Sequence, residues 1–190
     1  MSHEHVCPWL IGYFLASPIR RLFQKPEPIL APFVKTGMRI LEIGPGMGFF
    51  TLPMARMAGP TGKIFAIDIQ ERMLSELRNR AAGAGLADRI ECRLTQPDKL
   101  GVEDLRGSID FTLLIAVMHE VPDAKHLFAE IHGAMKPGGK VLLADPISRC
   151  PRETFDNALA IALEAGFVND QGPAVRRSWS AVLVKDSKVC

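Results

Sequence analysis

A doubly wound α/β fold, with a mainly parallel seven-stranded sheet, helices on both faces and an antiparallel C-terminal hairpin, is the architecture this sequence predicts. Three observations carry the prediction. From Met38 onward, short apolar runs alternate with segments of helical period, the pattern of a parallel sheet covered on both sides. The runs are rich in Ile, Leu and Val and alternate only weakly, as strands buried on both faces do. The last two apolar runs, finally, are joined too briefly for a helical crossover, so they pair antiparallel.

Taken in order, the strands are expected at 38–43, 63–68, 89–94, 109–117 and 141–145, with the closing pair at 167–175 and 178–185. Helices are expected at 48–57, 71–83, 123–135 and 152–165. The third begins after Pro122 with Asp123 as its cap, and Gly166 closes the fourth. Lys136-Pro137-Gly138-Gly139 reads as a turn, because proline cannot continue a helix and glycine tolerates positive φ. The first 37 residues form a separate N-terminal segment. Pro8, Pro18, Pro26, Pro28 and Pro32 divide it into short pieces, while Trp9, Tyr13, Phe14, Leu22 and Phe23 give it an apolar surface to cover. It reads either as a lid over the site or as packing against the sheet; residues 38–190 form the main domain.

The composition suits one domain. In 190 residues, 47% hydrophobic and 23% charged side chains allow a sizeable core without disulfides or structural metal. A net charge of +2, with both signs interspersed, lacks the concentrated basic face of a nucleic-acid binder. A small-molecule partner is expected, and no nucleic acid. The apolar run from Trp9 to Leu15 is too short to span a bilayer and lacks a basic flank, so neither signal peptide nor membrane anchor is expected. Cys7, Cys92, Cys150 and Cys190 show no CxxC spacing, which fits a reduced cytoplasm and argues against thiol or arsenic chemistry. His3, His5 and Cys7 lie close together but lack a fourth ligand, so no metal is expected.

Chemistry concentrates in Glu42-Ile43-Gly44-Pro45-Gly46-Met47-Gly48, directly after the first strand. The glycines permit a tight strand-to-helix turn and let a ligand approach the backbone. A dinucleotide fingerprint would need its third glycine at Phe49, and a carboxylate at Glu42 would repel a pyrophosphate. The acid suits a ligand with a cationic or amino-acid end. Asp68 closes the second strand 20 residues beyond Gly48, where a carboxylate can accept hydrogen bonds from both hydroxyls of a ribose.

With these residues in place, Met38 to Asp145 resembles the class I S-adenosylmethionine-dependent methyltransferases. The resemblance implies S-adenosylmethionine as cofactor, S-adenosylhomocysteine as product, and a loop from Glu42 to Gly48 lying under the methionine moiety, with Glu42, Gly44, Pro45, Gly46 and Gly48 as contacts. It implies ribose binding by Asp68, with Ile69 and Met73 packing on the ribose or adenine. Many relatives carry an acid after the third strand to bind the adenine amino group; here Gln96 takes its place, with Asp98 the alternative. The Lys136–Gly139 turn before the fifth strand is also frequent in that family.

Ala116 to Asp123 follows the fourth strand, where an open sheet reverses its order and ligands bind. Ala116 is a further cofactor contact, and His119 and Glu120 are candidates to deprotonate or orient an acceptor. Asp145, ending the fifth strand, reads as an acceptor contact or a turn residue. Arg20 and Arg21 either meet an anionic acceptor or solvate a helix. Because a sulfonium already activates its methyl group, positioning matters more than a dedicated base. The stretch lacks the Asn/Asp-Pro-Pro-aromatic motif of exocyclic-amine methyltransferases, which disfavours DNA adenine. The reading is a methyltransferase acting on a small, partly apolar acceptor; the alternatives are a nicotinamide-dependent oxidoreductase and a non-catalytic module that binds S-adenosylmethionine.

Overall fold

The computed structural model describes residues 25–186; the readings built on His3, His5, Cys7, Arg20, Arg21, Cys190 and the Trp9–Leu15 run lie outside them. The described chain forms α1 (Pro26–Leu30), β1 (Arg39–Ile43), α2 (Thr51–Met57), β2 (Lys63–Asp68), α3 (Glu71–Gly83), β3 (Ile90–Leu94), β4 (Ile109–Ile115), α4 (Ala124–Ala134), β5 (Met135–Pro146), α5 (Arg152–Glu164), β6 (Phe167–Asp170) and β7 (Ser178–Lys185). The seven strands form one sheet in the order β3-β2-β1-β4-β5-β7-β6. β1 to β5 pair in parallel, and β7 runs antiparallel to both β5 and β6.

Alternation of side chains along each strand divides the core between the two faces. Ile40, Ile64, Ala66 and Phe111 join Leu52, Met54, Leu74 and Leu77 of α2 and α3 on one face. Leu41, Phe65, Ile67 and Leu143 join Leu127, Phe128, Ile131 and Phe155 of α4 and α5 on the other. The doubly wound architecture is as expected. The part of the N-terminal segment that is described also lies in this core: Leu30, Phe33 and Val34 are buried, and the Phe33 ring stacks on Phe111 with centroids 5.2 Å apart. Residues 25–37 do not line the principal cavity described below.

Four boundaries differ from the sequence reading, each for a local reason. α2 begins at Thr51 rather than Gly48, because Gly46 and Gly48 hold φ of 53° and 87°, outside the helical range. β4 stops at Ile115, since Ala116 turns to φ 61°. β6 ends at Asp170, before Gly172 and Pro173, where proline has no N–H to donate to a ladder. Lys136–Gly139 is not a free turn but a bulged excursion within β5. Between the pairs Ile109↔Met135 and Phe111↔Lys140, β5 advances further than its partner and the ladder resumes beyond. Periodicity registers the break at Pro137 but not the β4 pairing on either side of it. The Asp123 cap is as expected: its carboxylate accepts from His126 N at 2.9 Å.

Candidate functional site

The order β2-β1-β4-β5 reverses direction of growth between β1 and β4. Diverging connections leave a crevice at the carboxyl ends of these strands. The crevice holds a cavity of about 380 Å³, lined from the carboxyl ends of β1, β2, β4 and β5 and from the turn after β3. Its size is that of a small-molecule site.

One wall is the Gly44–Gly48 loop. Gly44 N donates to Ile67 O, tying the turn to β2, and Gly46 N reaches Asp68 Oδ2 at 3.3 Å. The glycines serve different ends. A Cβ on Gly44 would lie 2.5 Å from Val117 Cγ2, and one on Gly48 would lie 2.5 Å from Leu77 Cδ1, so both permit close packing. A Cβ on Gly46 would meet nothing within 4 Å, because that residue faces the cavity.

Glu42 forms the floor. Its side chain is 3% exposed, and Oε2 has no hydrogen-bond partner. Burial pushes its pKa up to about 8, offset in part by the neighbouring Thr51 hydroxyl and reinforced by the charge of Asp68. Thr51 Oγ1 is likewise buried without a hydrogen-bond partner. Asp68, 8% exposed, accepts from Gln70 N at 3.0 Å as well as from Gly46 N. Burial raises its pKa, and these backbone donors counter the rise. Asp68 therefore braces the glycine loop while presenting a carboxylate edge to the cavity.

The opposite wall comes from the β4 and β5 ends. Asp145 is fully buried and clamps two groups: Oδ2 accepts from Met118 N at 2.9 Å, and Oδ1 lies 2.5 Å from His119 Nδ1. The ring's other nitrogen is 3.6 Å from Glu120 Oε1.

Of the residues expected to contact the cofactor, Glu42, Gly44, Pro45, Gly46, Asp68, Ile69, Met73, Gln96 and Ala116 all line the cavity, as does Asp98. Gly48 does not, since it faces Leu77 of α3. Glu120 lines the cavity, whereas His119 is held behind it by Asp145. Asp145, read as an acceptor contact or turn, is instead an internal clamp, and Thr51 beneath Glu42 was not anticipated. Nothing in the spacing of residues 119 and 145 announces their pairing, which arises because β4 and β5 are neighbours in the sheet.

Comparison with known proteins assigns this arrangement to a class. A family model described as a methyltransferase domain matches residues 41–143, more than half the chain. The chain belongs to that family, whose cofactor is S-adenosylmethionine. Among curated relatives, a demethylmenaquinone methyltransferase of Lactobacillus johnsonii is 31% identical over 57% of this chain and 43% of its own. An arsenite methyltransferase of Halobacterium salinarum is 28% identical over 60% of this chain and 29% of its own. The chain thus spans less than half the length of these two curated relatives. A crystal structure of an S-adenosylmethionine-dependent methyltransferase from Aquifex aeolicus superposes with a TM-score of 0.83 at 23% identity, covering 95% of this chain and all of that one. The shared fold is that of the class I methyltransferases, and the nicotinamide alternative falls away with the family assignment.

The cavity fits the cofactor on observations of its own. Glu42 offers an orphaned buried carboxylate oxygen suited to a cationic group. Gly46 leaves space that any Cβ would fill. Among the described residues, no group of three or more His, Cys, Asp or Glu side chains is placed to hold a metal.

Proposed function

We propose that this protein is a cytoplasmic methyltransferase that moves the methyl group of S-adenosylmethionine to a small, partly apolar acceptor rather than to a nucleic acid. The observation that carries the reading is the joining, in one cavity, of the Gly46 cradle, the orphaned Glu42 carboxylate and the Asp68 edge. When bound, the cofactor supplies a methyl group on a positively charged sulfur, which needs no further activation.

In this reading Glu42 receives the amino end of the methionine moiety. Gly44, Pro45 and Gly46 let it approach the backbone. Asp68 accepts from the ribose hydroxyls, Ile69 and Met73 pack against the nucleoside, and Gln96 or Asp98 accepts from the adenine amino group. Phe49, Phe50, Val117, Val121 and Leu127 give the remaining cavity an apolar lining, which supports an acceptor with an apolar body. The chain's own part in the transfer is alignment and water exclusion, which lower the entropic cost of bringing nucleophile and methyl carbon in line. Of the two candidates His119 and Glu120, Glu120 faces the cavity and can hold an acceptor proton; His119 and Asp145 act by orienting it.

The relatives' names point to quinone-like and arsenite acceptors. Cys92 and Cys150 do not line the cavity, so the described thiols do not support arsenite. A low net charge accords with an acceptor other than a nucleic acid.

Calorimetric titration with S-adenosylmethionine, S-adenosylhomocysteine and NADH tests the reading. Micromolar binding of both sulfur compounds with none of NADH is expected. Binding of NADH alone overturns it, and binding without turnover on a broad acceptor panel would favour a non-catalytic module.

A further inference from the structure

Beyond β5 the chain turns sharply: Arg149 N and Cys150 N both donate to Pro146 O, at 3.0 and 2.9 Å. The turn places Ser148 and Arg149 on the cavity rim, two strands away from the Gly44–Gly46 cradle. Two cationic side chains of the described residues, Lys99 and Arg149, and one histidine, His126, line this cavity. Lys99 pairs with Glu103, and His126 lies 3.3 Å from Glu130. Arg149 is exposed and, among the described residues, has no carboxylate partner.

A second segment reinforces the charge. Ile147 N donates to Arg177 O at 3.1 Å, which ties the 176–177 turn to the segment that carries Arg149. Arg176 and Arg177 are exposed and also lack an ion pair among the described residues, whereas Arg152 close by is neutralised by Asp156 at 2.8 Å. Arg177 adopts φ 57°, a left-handed conformation that a branched or long side chain seldom takes. Three of the acids on the cavity wall have partners within the protein. Asp123 caps α4, Glu130 accepts from Leu100 N, and Glu120 lies beside His119.

We infer that Arg149, with Arg176 and Arg177 behind it, docks an anionic group of the acceptor, a carboxylate or a phosphate, at the mouth of the cavity while the acceptor's apolar body lies inside. The inference rests on the proposed methyltransferase reading and deepens it by naming the acceptor class as amphipathic anions. A guanidinium fork matches either group through two parallel hydrogen bonds, and the flanking arginines raise the local concentration of anions. A neutral acceptor of equal size forgoes both effects.

The test is calorimetry on the full chain saturated with S-adenosylhomocysteine, using octanoate, octyl phosphate and octan-1-ol as probes at low salt. At least one anion is expected to bind about tenfold or more tightly than the alcohol, as charge-assisted hydrogen bonds allow. The preference should shrink in high salt because the site is exposed. Which anion binds better distinguishes carboxylate from phosphate. Arg149→Ala should abolish the preference and Arg149→Lys retain part of it, with S-adenosylhomocysteine affinity unchanged in both. Equal binding of the alcohol, failure of both anions to bind, or a preference that survives Arg149→Ala overturns the inference alone. Failure of S-adenosylhomocysteine itself to bind overturns the methyltransferase reading and this inference with it.

Discussion

Replacing Glu42 by Gln should change how stability depends on pH. Glu42 is buried with an unpartnered oxygen, and its pKa is pushed from 4.5 up to about 8. The folded chain therefore holds a proton there between these values that the unfolded chain releases. Where the folded state binds more protons, stability falls as pH rises. The Glu42 contribution thus declines from about pH 4.5 and levels off above about pH 8. At about 1.4 kcal/mol per pH unit, its full span approaches 5 kcal/mol, an upper bound because relaxation and water entry offset part of the cost of burying charge. Gln has the same shape and stays neutral, so its own orphaned amide adds only a constant offset. Asp68, whose pKa is also raised, contributes to both curves, and because its charge couples to Glu42 the difference includes that coupling. Urea unfolding followed by circular dichroism from pH 5 to 9 measures that difference. It should grow in favour of Glu42→Gln by at least about 2 kcal/mol across the range; a difference flat to within about 0.5 kcal/mol would refute the assignment of a buried, uncompensated carboxyl. The same variant should bind S-adenosylmethionine more weakly. In the wild type, binding below pH 8 should release a proton, because a cationic ligand favours the ionised carboxylate.

Four further outcomes are expected. Asp68→Ala should weaken S-adenosylmethionine binding at least about tenfold through lost ribose hydrogen bonds, roughly 1.5–3 kcal/mol; unchanged affinity by calorimetry removes Asp68 from the site. Gly46→Val should cost about 1–3 kcal/mol of stability from its left-handed backbone and abolish cofactor binding by filling the cradle, so normal binding shows that the ligand lies elsewhere. Asp145→Ala removes the partner of both Met118 N and His119 Nδ1 and should lower unfolding stability by about 1–3 kcal/mol; a wild-type urea curve rules out the clamp. Phe33→Ala removes a buried ring stacked on Phe111 and should cost about 3–5 kcal/mol. A loss under about 1 kcal/mol would detach residues 25–37 from the core.

Much of this protein was legible in its sequence because local rules decide much of it. Strands buried on both faces must be apolar throughout, so β1 to β4 lay within two residues of their expected ends, and β2 and β7 matched fully. The Asp123 cap and the end of α3 at Gly83 follow from hydrogen bonding and backbone freedom within a few residues. Glu42, the glycine loop and Asp68 were visible because a strand followed directly by glycines and an acid 20 residues on leaves a one-dimensional trace. Tertiary structure alone decided what depends on neighbours distant in sequence. Lys136–Gly139 became a bulge because β4 pairs with β5 on both sides of it. Gly48 left the cavity because Leu77 packs against it. His119 moved behind Glu120 because β5 brings Asp145 to its ring, and Ile147 met the 176–177 turn only through the antiparallel return of β7. Periodicity and motif spacing report on atoms a few residues apart. Desolvation, charge pairing and the approach of one wall to another are set by which strands lie side by side, and that order exists only once the chain has folded.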